Sequence, residues 1–292
     1  MNDYVIMTDS CCDLPNEIAE RYGLVSVPLS ITVDDKVYEA NIDEKVITFD
    51  RFYELLAASS SASTAAINAA QFIERMEPLL IAGRDILYLA FSSGLSATFS
   101  SSVMAVEELR KKYPDRKLCV VDTLCASMGE GLLVYYAALE KAKGATIEEV
   151  RDFAEKTKRE ICHWFFVDEL SYLKRGGRIS SSVALVGSLL NIKPILKVDR
   201  EGKLAAYSKA RGIKNALKTM LEYMGETIRN AADQTIMISH AHARERANEL
   251  ADGIRQRFPE IKEIIFNHIG PTIGCHTGQG CIALFFRGIM PT

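Results

Sequence analysis

The run SSGLSATFSSS, residues 92–102, follows directly on the apolar segment ILYLAF at 86–91 and carries seven hydroxyl side chains. Hydroxyls placed there can do two kinds of chemistry. They can donate hydrogen bonds to an anion, together with the free N–H groups of a helix start, or one of them can act as a nucleophile if a base stands beside it. Plain N-capping by Ser93 or Ser96 needs neither. Two further apolar runs end in the same way, with Thr8, Asp9 and Ser10 after YVIM and with Asp122, Thr123 and Ser127 around LCVV.

Two other stretches carry candidate groups. IGPTIGCHTGQG, residues 269–280, sets His276 among four glycines in a chain with five histidines. It reads as a glycine-rich turn that lets a backbone approach a ligand closely, although such a stretch is as often simply a turn. KRGGRIS, residues 174–180, places Lys174, Arg175 and Arg178 around a Gly-Gly turn, which also reads as a solvated hairpin-like loop. The apolar helix expected over 180–190 lacks a polar face, so it should be buried or should wall a pocket.

Several chemistries find no motif. There is no G-x-x-x-x-G-K-[ST] and no G-x-G-x-x-G at a strand end, so nucleotide binding has no support. No H-E-x-x-H or metal-spaced His/Cys/Asp group is present, and seven cysteines without a C-x-x-C fit buried thiols better than zinc or a disulfide framework. GLSAT, around Ser96, misses the last glycine of the G-x-S-x-G nucleophile elbow, which weakens a hydrolase. A net charge of −3 gives no basic field for nucleic acid or an anionic membrane. The apolar run at 4–7 is too short for a signal peptide, and no apolar stretch is long enough to span a bilayer, so a cytoplasmic protein is expected.

The elements that must position these groups follow from periodicity. Up to residue 160, strands at 4–9, 25–33, 85–91 and 118–122 alternate with helices at 14–21, 50–58, 71–82, 97–112, 127–143 and 147–158, and 59–63 reads as a loop. Alternation of this kind implies a parallel sheet covered on both faces. Beyond Trp164, FFVDEL, PILKVD, KLAAYSKA, TIMISHA, EIIFNH and CIALFFRG are short strand candidates, broken by helices at 180–190, 211–229 and 243–257. The expected architecture is α/β in two domains: an N-terminal domain, 1–162, with a mostly parallel sheet and flanking helices, and a C-terminal α+β domain, 163–292, with a largely antiparallel sheet.

In order and spacing, YVIMTDSCCDLP, VPLSITVDD, SSGLSATFSSS, VDTLCASMGEG, LKRGGRISSSVALVGSLLNIKPILKVDREGKL and IGPTIGCHTGQG resemble the DegV family of bacterial fatty-acid-binding proteins. The resemblance implies a carrier that buries one long-chain fatty acid, such as palmitate, stearate or oleate, between its domains. It further implies that the carrier presents the acyl carboxylate to a separate ATP-dependent fatty acid kinase subunit, with no cofactor and no turnover of its own. The carboxylate-holding positions of the family match Thr64, Ser93 and His276; Ser92 and Ser96 flank the second, and the G-R-I arginine matches Arg178. Arg211 matches an arginine implicated in engaging the kinase, and Arg175 is grouped with it. Two departures stand out: TAAIN at 64–68 where the family reads T-S-Q-P-S, and LSAT at 95–98 where it reads L-S-G-T.

The physics agrees with this implication. A buried carboxylate needs several donors, and Ser, Thr, His and helix-end N–H groups supply them. Affinity would come from the tail, since roughly 14 methylenes at about 0.8 kcal/mol each give a gross gain near 11 kcal/mol before the cost of ordering the chain. Two alternatives come from other classes: a serine-dependent acyl hydrolase or acyltransferase using Ser93 or Ser96 with His276 and oriented by Asp9 or Asp122, and an interaction scaffold without a ligand.

Overall fold

The computed structural model describes residues 4–59, 61–180 and 191–291. Four parallel strands make the first sheet. The chain enters it through β1 (Tyr4–Asp9), passes a single 3-10 turn and α1 (Asn16–Tyr22), and returns along β2 (Val25–Val27). It then leaves the sheet for an antiparallel hairpin, β3 (Leu29–Val33) and β4 (Lys36–Ala40), runs through α2 (Phe49–Ala58), and adds β5 (Ala62–Ala65) beside β3. After α3 (Ala69–Ile81) it rejoins the parallel sheet as β6 (Asp85–Ala90), followed by α4 (Thr98–Lys112), β7 (Leu118–Asp122), α5 (Met128–Ala142) and α6 (Ile147–Thr157). The sheet order is β2-β1-β6-β7.

Every residue of β1 and β6 is buried, as apolar strands covered on both faces must be. The helix starts follow side-chain chemistry: Asn68 with Gln71, and Thr146 with Glu149, form reciprocal capping boxes. Two expectations need correction here. The single strand at 25–33 is two strands in two sheets, divided at Pro28, which has no N–H to continue a ladder. Part of the expected loop at 59–63 is strand, because 62–65 pairs with β3.

The second large sheet begins with β8 (Ile161–Phe166). The chain continues through α7 (Leu170–Arg175), β9 (Ile192–Val198), β10 (Leu204–Arg211), α8 (Ile213–Thr227), β11 (Thr235–His240), α9 (Arg244–Arg257), β12 (Glu263–His268), α10 (Pro271–Thr277) and β13 (Ile282–Arg287). The order is β10-β9-β8-β13-β11-β12, antiparallel throughout except for the β11–β12 pair. FFVDEL is therefore not one strand: its phenylalanines end β8, and Leu170 opens α7. The expected helix at 180–190 lies, from 181 onward, outside the described residues.

Alternation along β8 and β13 gives this sheet two different faces. Cys162, Trp164, Phe166, Ile282, Leu284 and Phe286 pack against Met220 and Met224 of α8 and Leu250 and Ile254 of α9. Their neighbours His163, Phe165, Ala283 and Phe285 point the other way, toward the first sheet. Among the described residues no helix is long and apolar enough to cross a membrane.

Candidate functional site

A cavity occupies the space between that second face and the carboxyl ends of the parallel strands. The centre of a water-sized sphere can range over about 80 Å³ of it. Phe91, Leu95 and Ser96 reach it from the turn after β6, and Ala126 and Ser127 from the turn after β7. Phe165, Val198, Leu204 and Phe285 form its opposite wall. Apolar side chains dominate this lining, and the polar groups are few.

One polar group is built from three distant segments. Thr64, on β5, places its Oγ1 2.9 Å from Nε2 of His276, near the end of α10. Gly176, just after α7, packs against the other side of the ring, where a Cβ would overlap His276 Nδ1. The Gly-Gly pair thus permits close approach to the imidazole, and Gly177, at φ +70°, turns the chain back. Arg178 follows, donating from Nε to the Leu95 carbonyl at 3.1 Å and from Nη1 to the Gly176 carbonyl. Among the described residues no carboxylate pairs with Arg178, which also lines the cavity.

Burial, and then the neighbouring Arg178 guanidinium, push the His276 imidazole down to about 4, so the ring is neutral at pH 7. Among the described residues its buried Nδ1 has no hydrogen-bond partner. If Nε2–H donates to Thr64 Oγ1, the Thr64 hydroxyl hydrogen remains free for a ligand oxygen. Ser96 lines the same cavity. Its Oγ lies 2.9 Å from Thr98 Oγ1 and accepts from the Thr98 N–H at the start of α4.

The serines before it are placed differently, which corrects two expectations. Ser92 is buried but outside the cavity lining; its hydroxyl donates to the Gly202 carbonyl at 2.7 Å and ties the β6 turn to the β9–β10 hairpin. Ser93 is exposed, absent from the lining, and gives its backbone N–H to Asp122. The cause is the tight turn in which the N–H groups of Leu95 and Ser96 both return to the Ser92 carbonyl. Arg175 is exposed over the Tyr172 ring, and Arg211 is exposed at the end of β10; neither lines the cavity. The glycine-rich turn around His276 is itself helical, as α10.

This arrangement speaks against an acyl hydrolase. Asp9 accepts from the Tyr88 hydroxyl and from the N–H groups of Phe91 and Cys11, and Asp122 accepts from Ser93 and Leu124. Neither orients His276. The imidazole meets a threonine rather than a serine, and its second nitrogen has no carboxylate to hold a tautomer, as a triad requires.

Four polar residues of the cavity lie outside the expected site residues: Ser127, His163, Thr272 and Thr277. In the sequence Ser127 stands out only as a strand-end hydroxyl. It adopts φ 53° and donates to Asp13 Oδ2 at 2.5 Å, while Asp13 Oδ1 accepts the Gly270 N–H. Burial pushes the Asp13 carboxyl up to about 7. His163 interrupts an otherwise apolar strand, and the buried Thr272 hydroxyl has no partner among the described residues.

The model of the DegV family, described as uncharacterised proteins, matches residues 3–288. A DegV domain-containing protein of Clostridium perfringens is 44% identical over 288 residues, covering 99% of this chain and 98% of that one. Among solved structures, one described as fatty acid binding of a DegV family protein from Thermus thermophilus is 28% identical, with a TM-score of 0.87 over 99% of this chain and 100% of that one. The Streptococcus pneumoniae fatty acid kinase B3 protein, loaded with linoleic acid, has the same fold at 22% identity, with a TM-score of 0.86 over 98% of this chain and 99% of that one.

Proposed function

The chain belongs to the DegV family, and from that premise we propose that it is a carrier that binds one long-chain fatty acid and presents the carboxylate to a separate ATP-dependent kinase. The observation that supports this best is the joining of Thr64 to His276 at an otherwise apolar cavity. The tail is buried against Phe91, Leu95, Phe165, Val198 and Phe285. The carboxylate takes hydrogen bonds from Thr64 and Ser96, and its charge is balanced by Arg178 rather than by the histidine, which is neutral. His276 holds the Thr64 hydroxyl in the donating orientation.

The carrier has no turnover of its own. Phosphoryl transfer would take place at the partner, with Arg211 and Arg175, both exposed and outside the cavity, available to meet it. The kinase part of the reading rests on the resemblance in sequence. Palmitate or oleate added to lipid-stripped protein should raise its melting temperature, whereas ATP should not. A shift with ATP and none with either acid would overturn the reading.

A further inference from the structure

The cavity shares a wall with a second, open cleft, bounded by Leu124, Lys158, Lys197, Asp199, Ile289 and Met290 among others. Two described residues line both spaces, His163 and Val198. They are neighbours. β8 and β9 are antiparallel with Trp164 opposite Lys197 and Phe165 opposite Leu196, so one step further along that register His163 stands opposite Val198. Residues so placed on one face have Cβ atoms about 5 Å apart. On its other side His163 is paired with Phe285, whose ring it meets edge-on at 5.3 Å. Phe285, His163 and Val198 thus form a row across three strands.

Within that row the imidazole is fixed. Its Nδ1 lies 3.1 Å from the Ile161 carbonyl, and its Nε2 accepts the Ala126 N–H at 3.3 Å. Gly129 on α5 leaves the space the ring fills, since a Cβ there would overlap Nε2. With both nitrogens committed to the backbone, the ring has no hydrogen bond left for a ligand. What it contributes to the cavity is bulk at the boundary with the cleft.

We propose that His163, with Val198 beside it, is the stop that sets the length of acyl chain the cavity accepts, by closing the passage into the cleft, which Leu124, Ile289 and Met290 line beside the charged Lys158, Lys197 and Asp199. The inference rests on the fatty-acid reading above. A chain too long for the cavity must leave methylenes in water, and each one forfeits roughly fourfold in affinity. Removing the stop lets those methylenes run on into the cleft.

The test is to equilibrate wild type, His163→Ala and Val198→Ala with an equimolar series of saturated acids from lauric to lignoceric and to identify the retained acids by mass spectrometry. Wild type should show a sharp fall beyond one chain length, about fourfold per added methylene. Both variants should move that fall to longer acids. Val198→Ala leaves the imidazole and its two hydrogen bonds in place, so it carries the test if His163→Ala does not fold. Variants that hold stoichiometric lipid with the wild-type length profile would overturn the stop while leaving the carrier reading intact. Wild type that retains none of the acids would overturn both.

Discussion

The Thr64 hydroxyl and the His276 imidazole, 212 residues apart in the chain, meet at 2.9 Å on the wall of an apolar cavity. The contact joins β5, an outer strand of the three-stranded sheet, to α10, the short helix before the last strand. On the proposed reading, a neutral ring at this point orients a donor without adding a charge, and the charge of the carboxylate is left to Arg178.

Thr64→Val and His276→Ala should each weaken fatty-acid retention by about ten- to a hundredfold, equivalent to about 1.5–3 kcal/mol for a lost hydrogen bond to a charged group. Ser93→Ala should leave retention unchanged, because Ser93 is exposed and outside the lining. Competition binding with a fluorescent fatty acid measures all three. Retention should also stay flat as pH falls through the ordinary imidazole value of 6.5, since His276 remains neutral down to about 4.

Gly176→Ala should have a similar effect from outside the hydrogen-bonded group. Its Cβ would collide with His276 Nδ1, so the ring must turn away from Thr64. The backbone at Gly176 has φ −70°, which alanine adopts without strain. Circular dichroism should therefore be unchanged while retention drops; retention equal to wild type would show that the imidazole position is not critical.

Asp13 gives a prediction about pH. Its carboxyl is raised from 3.8 to about 7 by burial, so across that window the folded state holds a proton that the unfolded state has released. Stability from this group is present below about 3.8 and is lost as pH rises through about 7. The stability of wild type relative to Asp13→Asn should fall by about 1.4 kcal/mol per pH unit within the window and level off above it. Urea denaturation across that range checks this. A constant difference would mean that the hydrogen bonds from Ser127 and Gly270 outweigh burial and keep the carboxylate ionised.

What could be read from the sequence depended on how local the cause was. The fully buried strands at Tyr4–Asp9 and Asp85–Ala90 announce themselves as continuous apolar runs. The strands at Lys36–Ala40 and Ala62–Ala65 do not, because the first is largely exposed and the second is four residues long with half its side chains outward. Arg178 and His276 stand in recognisable motifs, and the structure brings both to the cavity. Ser93 and Ser96 are chemically alike in one hydroxyl-rich run, and only the turn closed on the Ser92 carbonyl decides which of them lines it. His163 shows in the sequence only as a polar break in an apolar run, since its place at the cavity depends on a cross-strand neighbour 35 positions away at Val198 and on the space left by Gly129.

Arg211→Ala should leave bound fatty acid unchanged, because the side chain lies outside the cavity, yet reduce acyl-phosphate formation sharply when a cognate kinase and ATP are supplied. Asn215 already bonds the Arg211 carbonyl, a contact the substitution keeps. Normal turnover over a range of carrier concentrations would reduce Arg211 to a solvated strand end.

The carrier reading is tested most directly by mass spectrometry of an organic extract of the purified protein. An apolar cavity with the proposed head-group site should arrive filled, so the account predicts about one long-chain fatty acid per chain. An extract without stoichiometric lipid, from a protein that also shows no thermal shift with palmitate or oleate, would contradict it.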